Sequence, residues 1–250
     1  MARTLRRILS AVSMCAAAGL LASPAGAQTK KQLNWCSSGG TPYQEIEGCS
    51  AIIQSPKTTV SNLATAFYTR GYAFYRIAQY DRAIRDYDEA IRLDPKYADA
   101  FIIRGVAYAS KGQYSRAIED YDVAIRLDPG NALGFYNRGS AYQSTGRHEL
   151  AIQDFDAAIE LDPRSVRAFS YRGLSYARKG QYDRAIRDYD EAIRLDPRFP
   201  AAYFNRARAY QSKGQYDRAI ADYDQAIRLD PKYTEAIESR ARALELRSDQ

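Results

Sequence analysis

The tripeptide Leu-Asp-Pro recurs at Leu93, Leu127, Leu161, Leu195 and Leu229, each time 34 residues after the last. The 17-residue run QYDRAIRDYDEAIRLDP stands twice unchanged, at Gln79 to Pro95 and at Gln181 to Pro197. A fixed period of this length is the mark of a solenoid, in which one unit cannot bury its own apolar face and stacked copies build a continuous core. Residues 64–233 therefore read as five units, 64–97, 98–131, 132–165, 166–199 and 200–233.

Each unit reads as two helices and a turn. In the second, Phe101, Tyr108, Ala117, Ile118, Tyr121, Ala124, Ile125 and Leu127 follow helical spacing, broken once by Lys-Gly-Gln at 111–113. Gly112 supplies a left-handed cap, Ser115 is an N-cap candidate for the second helix, and Pro129 stops that helix. Gly146, Gly180 and Gly214 repeat the cap. Ala78 replaces it in the first unit, where a looser turn is expected.

Numbered within the unit, these residues resemble the tetratricopeptide repeat family. Position 4 is Phe67, Phe101, Phe135, Phe169 and Tyr203; position 8 is Gly71, Gly105, Gly139, Gly173 and Ala207. Position 11 is Phe74, Tyr108, Tyr142, Tyr176 and Tyr210, and position 24 is Tyr87, Tyr121, Phe155, Tyr189 and Tyr223. Positions 20 and 27 are always Ala, and position 32 is always Pro. The resemblance implies an all-α, right-handed solenoid of helix-turn-helix units, with small residues at 8, 20 and 27 bringing backbones together and aromatics at 4, 11 and 24 filling the remaining volume. Position 7 departs from the family: Arg70, Arg104, Arg138, Arg172 and Arg206 stand where Leu is favoured. Packing explains a side chain common to every unit better than ligand choice does, and pairing with the Asp at position 23 of the same or preceding unit is expected.

The two ends differ from the repeats. Thr234 to Arg247 continues the first-helix pattern with a charged outer face and reads as a C-terminal capping helix within 234–250. Gln44 to Gln54 reads as a second helix without its first, inside an N-terminal segment 28–63 and joined through a turn at 55–59. Residues 1–27 have the form of an export signal: Arg3, Arg6 and Arg7, an apolar stretch from Ile8 to about Ala22, then Ala25-Gly26-Ala27. An uncleaved anchor is the competing reading, and a short core holding Ser10 and Ser13 favours cleavage. Cys15, preceded by the bulky Met14, then leaves with the peptide, and no membrane insertion follows.

Export to an oxidising compartment favours pairing of the two remaining cysteines, Cys36 and Cys49. The segment resembles exported bacterial repeat proteins that carry a comparable pair ahead of the first repeat. Without a C-x-x-C motif, a structural bridge is expected in preference to a catalytic dithiol.

The formal charge of +6 includes three arginines and no acid from residues 1–27, so the rest of the chain carries +3, which is no nucleic-acid footprint. Asp88 with Arg92, Asp190 with Arg194 and Asp224 with Arg228 stand four apart, acid first, and are expected to pair on solvated helix faces. The Asp-aromatic-Asp triplets look like paired carboxylates, yet residues two apart on a helix point about 200° away from one another and cannot share a metal. His148, in the turn between helices, replaces a tyrosine found in the other units and has no nucleophile tied to it by a motif. No phosphate loop occurs. Neither an enzyme, a cofactor nor a metal site is expected.

Function in the resembled family lies on the concave face, at first-helix positions 2, 5, 6, 9, 12 and 13. Those positions vary here on a constant frame, as recognition requires. Units 1 and 2 contribute Tyr68, Tyr72, Tyr75, Ile102 and Val106; unit 3 contributes Tyr136, Asn137 and Gln143. Units 4 and 5 add Arg167, Tyr171, Arg178, Phe204, Asn205 and Arg208. Aromatics give rigid contact area, and Asn and Arg bond backbone or carboxylate. Ile103 and Tyr171 read equally as packing against the next unit. The family's chaperone-tail carboxylate clamp is matched only by Asn137 and Arg167; Ile102, Val106 and Tyr171 stand at its other positions, so no such clamp is expected. The expectation is a periplasmic or secreted scaffold that holds a protein or peptide segment. The alternatives are a self-assembling envelope protein and a non-catalytic subunit of an envelope enzyme complex.

Overall fold

The computed structural model describes residues 35–36 and 40–249. The export signal expected at 1–27 and residues 37–39 between the two cysteines lie outside them. Among the described residues there is no strand. Helix α1 (Pro42–Ile53) is followed by α2 (Val60–Arg76) with α3 (Tyr80–Leu93), α4 (Ala98–Ser110) with α5 (Tyr114–Leu127), and α6 (Ala132–Ser144) with α7 (His148–Leu161). Then come α8 (Val166–Arg178) with α9 (Tyr182–Leu195), α10 (Pro200–Ser212) with α11 (Tyr216–Leu229), and α12 (Thr234–Ser248). Each helix packs on the next in sequence, and first helices also touch first helices two elements away.

Local chemistry sets the boundaries. Thr41 and Gln44 form a reciprocal capping box on α1, with Pro42 at its first position, and Thr59 caps α2. Within the units the first helix ends in a Schellman turn: Gln113 N–H donates to Tyr108 O at 2.9 Å and Gly112 N–H to Ala109 O at 2.9 Å, with Gly112 at φ +73°. Ala78 adopts the same left-handed geometry at φ +57°, and Gln79 N–H reaches Phe74 O at the same 2.9 Å. The turn expected to be looser is therefore as tight as the others, held there by the packing of α2 on α3. Ser115 is not an N-cap. Helix α5 begins at Tyr114, with Gln113 before it making no side-chain cap bond. His148 likewise opens α7 instead of lying in the turn.

The core is narrower than the aromatic pattern implies. Of the three aromatic positions, 24 alone is wholly buried in every unit, from Tyr87 to Tyr223. A Cβ placed on Gly105 would fall 2.6 Å from Cε1 of Tyr121, so the position-8 glycine is the floor on which that ring lies. Small residues at positions 3 and 10, such as Ala66 and Ala73, Ala100 and Ala107, and Ala202 and Ala209, are buried as well. They are seven apart and form a second close-approach stripe beside that of positions 8, 20 and 27.

The aromatics at positions 4 and 11 instead flank the position-7 arginine. Cζ of Arg104 lies 5.4 Å from the Phe101 ring and 6.0 Å from the Tyr108 ring, and the arrangement recurs at Arg70, Arg138 and Arg206. From that slot Arg104 Nε and Nη2 donate to Asp120 at 2.9 and 2.6 Å, and Nη1 donates to Asp88 of the preceding unit at 2.6 Å. Arg138, Arg172 and Arg206 repeat both bonds with Asp154 and Asp122, Asp188 and Asp156, and Asp222 and Asp190. Arg70 holds Asp86 and reaches Ser50 of α1, while Arg240 of α12 holds Asp224 at 2.5 Å.

The Asp-aromatic-Asp triplet is thus a connector. Its first carboxylate closes its own helix pair, its ring fills the core, and its second carboxylate clasps the next unit. The expected partners of that second carboxylate are corrected accordingly: Arg92 and Arg194 pair with Glu89 and Glu191 at 2.9 and 2.5 Å, and Arg228 bonds Gln225. The next unit's arginine is partly desolvated and presents two faces, so it outcompetes a flexible arginine on the same helix surface.

Burial alone would lower the pKa of Arg104; hydrogen bonds and charge from Asp120 and Asp88 more than reverse this and hold it above its ordinary value. Burial pushes the Asp120 carboxyl up against the pull of Arg104. The two-pronged contact decides the matter: the pair is ionic.

Candidate binding face

The residues expected on the inner face separate into three groups. The first is committed to structure. Ile102 is 1 % exposed, inside the core cluster that Phe101, Ile118, Tyr121 and Ala141 share across units 2 and 3, so its expected place on an accessible groove is corrected: packing of α6 on its own helix covers it. Gln143 Nε2 donates to Tyr171 O at 2.9 Å and to Ser175 Oγ at 2.8 Å, tying unit 3 to unit 4. Val106 is half-buried and packs on the unit 2 core.

The second group is a half-buried aromatic lining. Tyr68 lies 5.0 Å from Tyr97 and 6.1 Å from Tyr87 between ring centroids. Phe204 repeats this in unit 5, 4.9 Å from Tyr233 and 5.9 Å from Tyr223. Tyr136 meets Tyr171 edge-on at 5.6 Å and Phe155 at 6.0 Å. Tyr171 thus packs against the preceding unit while keeping a partly open face. Tyr75 stacks on Tyr72 at 6.4 Å, and its hydroxyl lies 3.3 Å from Ser110 Oγ. Burial, then the neighbouring Tyr97, Asp99 and Tyr72, push the Tyr68 phenol up to about 12.

The third group is uncommitted. Arg167, Arg178 and Arg208 are exposed and make no ion pair among the described residues. Arg208 lies over the Phe204 ring at 5.7 Å. Tyr72 is exposed, and Asn137 and Asn205 are half-buried between the arginines. The position-7 arginines are held by aspartates, so these three are cations of units 4 and 5 that remain for an incoming group, with Arg242 of α12 continuing the row. Two cavities open on this side. One of about 520 Å³ is lined by Tyr136, Ser165, Arg167 and Asn131; the other, of about 350 Å³, by Gln143, His148, Leu174 and Arg178. His148 Nδ1 is buried without a hydrogen-bond partner among the described residues. No group of three or more metal-ligating side chains occurs among the described residues.

Family models described as tetratricopeptide repeat match residues 68–132, 132–165, 155–187 and 200–233, and one described as TPR repeat matches 173–214. Together they run without a gap through all five units. The chain is a tetratricopeptide repeat protein. A crystal structure of MamA superposes on it at 29 % identity with a TM-score of 0.60, covering 66 % of this chain and 96 % of that one. YrrB, described as a TPR protein with an unusual peptide-binding site, is 24 % identical with a TM-score of 0.62, covering 78 % of this chain and 99 % of its own. PilF from Pseudomonas aeruginosa is 23 % identical with a TM-score of 0.62, covering 76 % and 92 %. The last two likenesses show the fold. No curated protein matches the chain. Tetratricopeptide repeat domains bind protein and peptide partners and are typically non-catalytic.

Proposed function

We propose that this tetratricopeptide repeat protein is an exported scaffold that holds an extended, acidic polypeptide segment along the inner face of units 3 to 5. The observation that carries the reading is the division of its arginines. Those at position 7 are bonded on both sides, whereas Arg167, Arg178 and Arg208 lie exposed and unpaired among half-buried rings. Donors that no internal acceptor uses, beside aromatic surface, suit a partner that brings carboxylates and backbone carbonyls.

Export is supported by the pattern of residues 1–27 and by the Cys36–Cys49 bridge, whose Cα atoms are 4.8 Å apart. Such a bridge persists in an oxidising compartment. No helix among the described residues is long and apolar enough to cross a membrane. The periplasm is the proposed location.

Replacement of Tyr68, Tyr136 and Phe204 tests the face poorly, because each also packs on a buried position-24 ring. The exposed arginines are the sharper choice. The triple variant R167E/R178E/R208E should keep its helix content and lose the polypeptides that the parent retains from envelope extract; equal retention would reject the reading. For export, the mature chain made in a Gram-negative host should begin at Gln28 and leave with the periplasmic fraction. A full-length cytoplasmic product would refute it.

A further inference from the structure

Units 1 and 5 each close their inner face with a pair of rings, position 5 against position 34: Tyr68 with Tyr97 at 5.0 Å, and Phe204 with Tyr233 at 4.9 Å. Unit 3 has the position-5 ring, Tyr136, which meets Tyr171 of unit 4 on one side but finds Ser165 at position 34 on the other. The backbone is unchanged there. Ser165 has φ −75° and ψ 90°, Tyr97 has φ −74° and ψ 80°, and Tyr233 has φ −73° and ψ 80°. What differs is the side chain, and the 520 Å³ cavity is lined by both Tyr136 and Ser165. That volume lies within the usual range of small-ligand pockets, about 300–1,000 Å³.

We propose that this cavity is an anchor pocket for one aromatic side chain of the bound polypeptide, which supplies to unit 3 the ring that units 1 and 5 supply to themselves. The inference rests on the scaffold reading above and names the residue class that the scaffold selects. The chemistry of the wall narrows the occupant. Asp128 and Asp162 each accept a backbone N–H of their own turn, from Gly130 at 3.2 Å and Arg164 at 3.1 Å, and Asn131 Oδ1 accepts from Leu133 N–H at 3.1 Å. The carboxylates disfavour an acidic side chain in the pocket itself. Of the polar groups left uncommitted, the Asn131 amide nitrogen and the Arg167 guanidinium are donors and the Ser165 hydroxyl can donate or accept, which suits a phenol or the carbonyls flanking the ring. Beyond Arg167 the face continues to Arg178 and Arg208, and the inner-face positions of units 4 and 5 hold no acid. Charge complementarity therefore places the partner's acidic residues on that side of its aromatic one.

The test is a selection from a phage-displayed random dodecapeptide library on the disulfide-bonded chain, with each enriched peptide then measured as a synthetic probe. Peptides should carry Phe, Tyr or Trp with Asp or Glu to one side, and changing the aromatic residue to Ala should weaken binding at least tenfold. S165Y installs the missing ring on an unchanged backbone, breaks no cap bond, and should weaken binding by a similar factor with helix content and melting temperature maintained. R178E/R208E should weaken the same peptides without filling the pocket. Enriched peptides that lack an aromatic residue, or that bind S165Y as tightly as the parent while R178E/R208E weakens them, overturn the anchor pocket and leave the scaffold reading standing. Enriched peptides indifferent to R178E/R208E, or no enrichment at all, overturn both.

Discussion

Arg104 and Asp88 belong to different units, and Nη1 of the arginine donates to Oδ1 of the aspartate at 2.6 Å. The other edge of the same guanidinium grips Asp120, so one side chain fixes both a helix pair and its junction with the pair before. The two aspartates differ in burial: the Asp120 side chain is 7 % exposed and that of Asp88 is 48 %. Removing Arg104 strands a buried carboxylate, and Arg104→Ala should cost about 3–5 kcal/mol. Asp88→Ala leaves the buried pair intact and should cost about 0–1 kcal/mol. Urea unfolding followed by circular dichroism checks the contrast, and equal losses would reduce the ladder to surface charge.

Ala78 is the one non-glycine residue with positive φ among the described residues. A left-handed conformation costs an L-residue roughly 1–2 kcal/mol, while glycine gives back part of that gain as unfolded-state entropy. Ala78→Gly should stabilise the N-terminal units by about 0.5–1 kcal/mol. A melting temperature that fell would show that the Ala78 methyl group makes a contact worth more than the strain.

Alkali should unfold this chain through its tyrosines. Tyr68 is raised from 10.0 to about 12, and burial raises Tyr87, Tyr121 and Tyr189 further. Above pH 10 the unfolded chain releases these protons and the folded chain does not, so the unfolded state binds fewer protons and stability falls as pH rises. For Tyr68 the loss runs from pH 10 to about 12; below 10 its contribution is complete. Tyrosinate absorbance and circular dichroism should change together in that range. Ionisation of the buried rings with helicity retained would contradict the burial of position 24.

The bridge between Cys36 and Cys49 encloses a sequence separation of 13 residues and sits beside Ala66 of α2. Its removal in Cys36→Ser/Cys49→Ser should cost about 3 kcal/mol. In a stacked array each unit contacts its neighbours, so the loss should stay local. Hydrogen exchange should quicken in α1 and the start of α2 and remain unchanged in α9 to α11. A uniform increase would mean that the array unfolds as one body.

Much of the frame is legible in one dimension. The 34-residue step, the Gly112-type caps and the alternation of small and aromatic residues follow from rules that act within a helical turn or at its end, so units, helices and position-24 rings can be read directly. The repeated Arg at position 7 also announces itself as structural because it repeats. Ile102 could not be placed that way. It has the number of a groove residue, and only the packing of the next unit, whose Ala141 shares its core cluster, covers it.

The choice of partner for each aspartate was likewise settled by tertiary structure. Asp88 stands four residues from Arg92 on its own helix and sixteen from Arg104, yet bonds the latter. Spacing along the chain fixes where a side chain leaves its helix; the rotation and offset between packed helices fix whom it meets, and burial then favours the partner already held between two rings. By itself the sequence determined the number of units, their internal pairing and the kind of residue at each repeated position. The stacking alone decided which arginines remain free and that Ser165 leaves a cavity beside Tyr136, because both depend on contacts between units that no single period contains.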